Sequence, residues 1–162
     1  MIFLESGQWL GRGSLLAEGQ SRGQPVECHV LVQRDEEGVT LTGGWRGQGS
    51  DESEFVVRLA SNDVGTYTLT MNLAGDHLQG TAKLDSPPNL GLLWNDSGSV
   101  YATFALFAIS RGYGFRGFVR DAGHAAAPRD GGGRVFTWEV AFSLKQEVVK
   151  GDNVVSLHRR RK

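Results

Sequence analysis

The chain has 162 residues, a length that suits a single domain with one hydrophobic core. Its hydrophobic fraction of 40%, charged fraction of 22% and net charge of −1 are ordinary for a globular protein and leave no electrostatic field that would attract nucleic acid. A single cysteine, Cys28, excludes an intramolecular disulfide, and no apolar stretch approaches the ~20 residues of a membrane-spanning helix.

Short segments in which apolar and polar residues alternate recur along the chain, separated by clusters of Gly, Asp, Asn and Ser. Such alternation predicts half-buried strands joined by tight turns, and helical periodicity is nearly absent. In the clearest segment, 66–73, Tyr67, Leu69, Met71 and Leu73 share one face and polar residues share the other. The predicted strands are residues 8–16, 25–33, 39–46, 54–60, 66–73, 77–84, 99–111, 114–121, 134–145 and 153–159.

About ten antiparallel strands in sequence form a sheet that tends to curl or close, and closure removes the exposed edges. The 23 glycines, about twice the average usage, are spread along the chain and fit frequent turns. We therefore predict an all-β fold, an antiparallel up-and-down β-barrel that forms a single domain over residues 1–162.

Three segments depart from the strand pattern. Residues 85–98 contain Pro87 and Pro88 and predict an irregular excursion, which either folds over a barrel mouth or packs on the outside. Residues 122–133 are rich in alanine and glycine and predict a mobile loop, and residues 159–162 form a flexible basic tail.

The segment from Ser99 to Arg111 is apolar on both faces, which is unusual for a strand with one face in water. One face carries Phe104, and the other carries Tyr101 and Phe107. The outer face needs a cover. Either the apolar residues 90–94 of the excursion supply it, or a second subunit does in a homodimer.

A motif opens the first predicted strand: Gly7-Gln8-Trp9-Leu10-Gly11-Arg12-Gly13, or G-x-W-x-G-x-G. It resembles the start of the calycin superfamily, which includes the lipocalins, the fatty-acid-binding proteins and the nitrobindin-like haem barrels. The resemblance implies that Gly7, Trp9 and Gly11 close one end of the barrel, with the tryptophan often against a basic side chain. Possible basic partners are Arg46, Arg58, Arg111, Arg116 and Arg120.

A small barrel is either filled by its own side chains or holds a ligand. If it is hollow, we expect apolar wall residues and one or two arginines that meet a carboxylate or another polar head group. The candidate ligand-binding residues are Cys28, Trp45, Phe55, Arg58, Tyr67, Met71, Arg116 and Trp138. The alternative interpretation places both arginines on a solvated outer face and assigns the small residues Gly43, Gly80, Ala82 and Gly117 to bends.

Catalysis and metal binding have few candidate residues. Cys28 points inward by alternation, as does the nucleophile of some calycin enzymes, but His29 alternates away from it and cannot be its base. The histidines show no metal-ligand spacing, so we predict neither a metal site nor a cofactor. Haem bound through His158 is the alternative that the nitrobindin resemblance leaves open.

Residues 112–117 imitate a dinucleotide-binding G-x-G-x-x-G, but no helix pattern follows, so they predict a turn. The leading hypothesis is a cytoplasmic protein that binds a small lipophilic or amphipathic molecule without changing it. The alternatives are a homodimeric interaction module with a filled barrel, and a calycin-type isomerase or lyase. We expect no nucleic-acid partner and no membrane span.

Overall fold

The computed structural model describes residues 5–122 and 134–145, which form a closed barrel of ten antiparallel strands. Each strand pairs with the next, and β1 pairs with β10 to close the ring. This confirms the all-β up-and-down barrel. The strands are Gly7–Ala17 (β1), Gln24–Asp35 (β2), Gly38–Gly47 (β3), Ser53–Ser61 (β4), Tyr67–Leu73 (β5), Asp76–Lys83 (β6), Asn89–Trp94 (β7), Val100–Ile109 (β8), Gly112–Asp121 (β9) and Arg134–Leu144 (β10).

One of the ten strands lies where an irregular excursion was predicted. β7 pairs with both β6 and β8, and its inward Gly91 and Leu93 alternate with its outward Leu90 and Leu92. The prediction was wrong because Pro87 and Pro88, which disfavour a strand, come directly before a segment too short to show a clear alternation of inward and outward residues. The predicted strand at 153–159, the basic tail and all but the first residue of the predicted loop at 122–133 lie outside the described residues.

The turns form where Gly, Asp and Asn clusters predicted them. Asp35 accepts hydrogen bonds from the backbone N–H groups of Glu37 and Gly38, both at 2.9 Å, and so orders the connection from β2 to β3. Ala74 and Gly75 both have positive φ, as the two central residues of a type I′ hairpin turn require. Local backbone chemistry therefore sets the hairpin order.

The strand glycines mark close approaches between neighbouring backbones. A Cβ at Gly43 would lie 2.0 Å from the His29 carbonyl oxygen, and one at Gly80 would lie 1.9 Å from the Leu92 carbonyl oxygen. No side chain fits at such distances, so these positions allow the sheet to coil tightly. This supports the interpretation of the small residues as bends rather than as the wall of a cavity.

The barrel has two unequal ends. The end of the barrel that carries the connections β2–β3, β4–β5, β6–β7 and β8–β9 is termed the closed end. The opposite end, which carries the connections β1–β2, β3–β4, β5–β6 and β7–β8, is termed the open end. The most buried side chains, each exposed by 5% or less, lie toward the closed end: Trp9, Val32, Val39, Leu59, Leu69, Ala82 and Leu84. The core is therefore densest near the closed end.

Candidate ligand site in the barrel interior

The cross-strand register places the predicted apolar wall residues on the inner face. Cys28 lies opposite both Gly11 and Trp45, and Met71 lies opposite both Val57 and Leu78. Residues that are directly opposite in an antiparallel pair share one face of the sheet, so each such pair points into the barrel. Phe55, Tyr67 and Trp138 belong to the same inner face.

Burial divides these wall residues into two groups. Tyr67 is buried near the closed end, whereas Cys28, Trp45, Phe55, Met71 and Trp138 are only partly buried although they point inward. All of the partly buried group lie in the half of their strand that is nearer the open end. Accessible inward apolar side chains make this half of the barrel a candidate position for a guest. Tyr113 and Phe142, inward near the closed end, are partly buried as well.

Aromatic rings form the wall at β8, β9 and β10. The Phe115 ring centroid lies 5.4 Å from that of Trp138, 5.7 Å from that of Phe104 and 6.3 Å from that of Phe142, all in tilted geometry. In the strand order, β3 and β4 lie across the ring from β8 and β9. Trp45 and Phe55 therefore face this cluster across the interior.

Arg58 and Arg116 do not reach the interior. Arg58 lies opposite Thr40 and Thr70 on the outer face and forms an ion pair with Glu37. Arg116 also faces outward, where it pairs with Glu139 at 2.6 Å and covers the Phe107 ring at 5.1 Å. The prediction that these arginines meet a head group inside the barrel is therefore wrong, because the strand alternation turns both outward.

The residues of the opening motif lie at the closed end of β1. Trp9 is buried, its indole Nε1 donates a hydrogen bond to the Glu5 carbonyl oxygen at 3.0 Å, and its ring centroid lies 5.8 Å from that of Tyr113. Gly11 has no room for a Cβ, which would lie 2.5 Å from Cys28 Sγ. Among the possible basic partners, Arg46, Arg58 and Arg116 bind glutamates on the outer face instead.

Cys28 is a neutral thiol in this environment. Burial raises its pKa to about 12, although a hydrogen bond with the Gly11 backbone acts in the opposite direction. A thiol with such a pKa holds almost no nucleophilic thiolate at neutral pH. His29 faces outward and contacts Glu52 at 3.0 Å, so it supplies no base to Cys28. The geometry therefore gives no support to a cysteine nucleophile.

Two buried polar atoms within the described ranges have no hydrogen-bond partner: the indole Nε1 of Trp138 and the side-chain Oδ1 of Asn89. Asn89 points inward from the start of β7, and its Nδ2 donates to the Leu106 carbonyl oxygen at 3.3 Å. Asn89 was not predicted as a site residue, because it lies in the segment that was expected to be irregular. Its flanking alternation with Gly91 and Leu93 is the signal that could have found it.

An apolar groove of about 630 Å³ lies at the rim of the closed end, beside the β6–β7 connection. Pro87, Pro88 and Tyr113 are among its lining residues. Nearby, the Tyr67 hydroxyl donates to Asp85 at 2.7 Å, and burial together with this carboxylate raises the pKa of Tyr67. The groove is separate from the partly buried aromatic wall of the open half.

No group of three or more His, Cys, Asp or Glu side chains in the described segments is placed to hold a metal ion. His77 contacts the Asn72 side chain through Nδ1 at 2.9 Å, while His124 and His158 lie outside the described residues. Haem binding through His158 therefore stays a prediction. Over residues 5–122 and 134–145, no helix is long and apolar enough to cross a membrane.

The fold matches that of a solved protein of a different sequence. Over 88% of this chain and 89% of the other, the barrel superposes with a TM-score of 0.59 on an S-type phycobiliprotein lyase from Guillardia theta, with 10% sequence identity. No protein-family model and no curated protein matches the chain. At this identity the likeness shows a shared barrel fold and nothing further.

Proposed function

We propose that this protein binds a small lipophilic or amphipathic molecule inside the open half of its barrel, without changing it. The observation that carries the proposal is the set of inward aromatic side chains near the open end, Trp45, Phe55 and Trp138, that remain partly exposed. Apolar surface that stays accessible inside a concave wall is what a lipophilic guest covers.

The structural neighbour is named a phycobiliprotein lyase. A linear tetrapyrrole is therefore one probe to include. A lyase reaction is the alternative, and the raised pKa of Cys28 argues against the version that uses this thiol as nucleophile. Full turnover of a candidate substrate by Cys28→Ala would exclude that version.

Native mass spectrometry and an absorbance scan of the purified protein test whether a guest is carried. Extra mass of a few hundred daltons over the polypeptide supports the proposal. A titration with Nile red, an uncharged dye, then measures whether the interior is open. Failure of the dye and of a panel of lipophiles to bind would refute the carrier function.

A matched pair of variants on β4 locates the site. Phe55 points inward and Val56, its neighbour, points outward with 43% of its surface exposed. We expect Phe55→Ala to weaken dye binding by roughly tenfold or more, because it removes a large apolar contact, and Val56→Ala to leave binding unchanged. The reverse result would place the dye on the outside of the barrel.

A second candidate function is homodimerisation, and the outer patch of Leu90, Leu92, Tyr101 and Phe118 favours it. These side chains are 37–49% exposed, and Leu92 and Phe118 both lie opposite Thr103. β7 lies beside β8 in the sheet and enlarges the apolar outer face, so the prediction that it covers that face is wrong. A second copy is the occupant that we propose.

Light scattering during size-exclusion chromatography tests this contact. Leu92 lies at the centre of the outer patch, and we expect Leu92→Glu to convert a dimer to a monomer. Val56 lies on the far side of the barrel, so Val56→Glu should leave the dimer intact. Phe107 is a poorer choice, because it already packs on Gly114 and beneath Arg116. A wild-type monomer at micromolar concentration would remove this candidate.

A further inference from the structure

We infer that the molecule bound in the open half is uncharged over the part that enters the barrel. This inference rests on the proposed function and specifies the class of its ligand: a flat, neutral lipophile rather than an anion. It comes from the distribution of charge between the two faces of the sheet.

Apart from a few residues near strand ends, the charged side chains of the described strands lie on the outer face. They include Arg12, Glu27, Arg46, Glu54, Arg58, Arg116, Arg120 and Glu139. Several of them neutralise one another there, as in the pairs Arg46–Glu27 at 3.1 Å and Arg116–Glu139 at 2.6 Å. None of these charges is available to a guest inside the barrel.

The inward charged residues occur only near strand ends within the described ranges. Arg34 lies near the closed end, and Asp76, Asp121 and Arg134 lie at the open rim. At that rim Asp121 and Arg134 are directly opposite each other, and Asp76 adds a second carboxylate. The entrance therefore offers no net positive charge to an anionic head group.

Between the strand ends, the polar side-chain atoms that face the open half are neutral. They include the thiol of Cys28, held protonated by burial, and the indole N–H of Trp138, which has no partner within the described residues. Such groups can hydrogen-bond a hydroxyl or carbonyl of a ligand. They cannot compensate a full charge, because an ion that loses its water needs an opposite charge or several aligned donors.

Ring geometry narrows the ligand class further. Phe55 on β4 lies across the ring of strands from Phe115 on β9. Trp45 and Trp138 lie on the strands next to these two, so aromatic rings line the interior on both sides. Planar rings or conjugated chains gain most from such walls, since they stack or meet ring edges over their whole area.

The test compares three compact probes that share the anthracene ring and differ in the charge of a one-carbon head group: 9-anthracenemethanol, anthracene-9-carboxylic acid and 9-(aminomethyl)anthracene. Binding to the wild-type protein is followed by anthracene fluorescence. At pH 7.5 we expect the alcohol to bind at least about a hundredfold more tightly than either ion. Because only the protonated acid enters, its affinity should fall about tenfold for each pH unit above its free pKa, while the affinity of the alcohol stays constant.

The outcomes separate the two proposals. Tight binding of the acid without pH dependence would overturn the inference and leave the carrier function standing. Absence of binding by all three probes, together with failure of Nile red, would refute the carrier function itself. Tight alcohol binding with weak, pH-dependent acid binding supports both.

A matched pair of variants on β5 provides an independent check. Met71 points inward near the open end, and Thr70 points outward and is exposed. Met71→Arg places a cation inside and should raise the affinity for the acid relative to the alcohol at least tenfold, whereas Thr70→Arg should leave the ratio unchanged. An unchanged ratio in folded Met71→Arg counts against the inference, and if that variant fails to fold, the wild-type pH series decides.

Discussion

Replacing Trp9 by alanine tests whether the opening motif seals the closed end. The Trp9 side chain is 5% exposed, lies against the Tyr113 ring and donates a hydrogen bond to the Glu5 carbonyl oxygen. Removing a buried tryptophan lowers the free energy of unfolding by about 3–5 kcal/mol, of which the hydrogen bond accounts for about 1 kcal/mol. We expect a loss within this range, because the site is fully enclosed.

The assay is urea unfolding followed by far-ultraviolet circular dichroism, which does not depend on tryptophan fluorescence. With a slope of about 2 kcal/mol per molar urea, the loss lowers the midpoint by about 2 M. Leu10→Ala is the control on the same strand, since Leu10 is 46% exposed on the outer face and should change the stability by about 0.5 kcal/mol or less. Equal shifts for the two variants would refute the sealing role of Trp9.

Three further predictions address the interior thiol, the coiled sheet and the outer arginines. Burial raises the pKa of Cys28 from 9.0 to about 12, so ionisation of the thiol favours the unfolded chain. The contribution of the neutral thiol to stability is complete below pH 9 and is lost as the pH rises toward 12. Cys28→Ser should reduce this alkaline loss of stability, and half-maximal alkylation of the folded protein near pH 9 would contradict the raised pKa. Gly80→Ala should lower the free energy of unfolding by about 3 kcal/mol in the same urea assay, because the new Cβ would lie 1.9 Å from the Leu92 carbonyl oxygen. The control is Thr68→Ala on the exposed face, which should change the free energy of unfolding by about 0.5 kcal/mol or less. Arg58→Gln and Arg116→Gln should leave the affinity for Nile red unchanged, and a tenfold loss in either would show that an outer arginine acts on the interior.

Much of the fold could be predicted from the local sequence pattern. Alternation along 66–73 identified a strand with one buried face, and the structure places Tyr67 and Met71 inward as predicted. The turn residues Asp35 and Asn62 bond to backbone N–H groups of their own turns, which is a short-range effect that sequence shows directly. β7 was the failure, because a six-residue strand after two prolines has too few alternations to outweigh them.

The candidate site could be predicted from the sequence only in part. Alternation was enough to assign Cys28, Trp45, Phe55 and Trp138 to the inner face, because each lies in a strand with a clear period of two. The structure supports the alternative interpretation of Arg58 and Arg116, in which both lie on the outer face and not at the ligand. Their chain neighbours point inward, so alternation turns both arginines outward.

The sequence by itself determined that this chain forms antiparallel strands with one apolar face, and that enough of them follow one another to close a sheet. These properties come from residues next to each other in the chain. Only the tertiary structure decided how burial varies along the interior, that Asn89 and Trp138 have buried polar atoms without partners, and that the outer patch combines β7, β8 and β9. Those features depend on the shear of the closed barrel and on contacts between distant strands, which no local pattern contains.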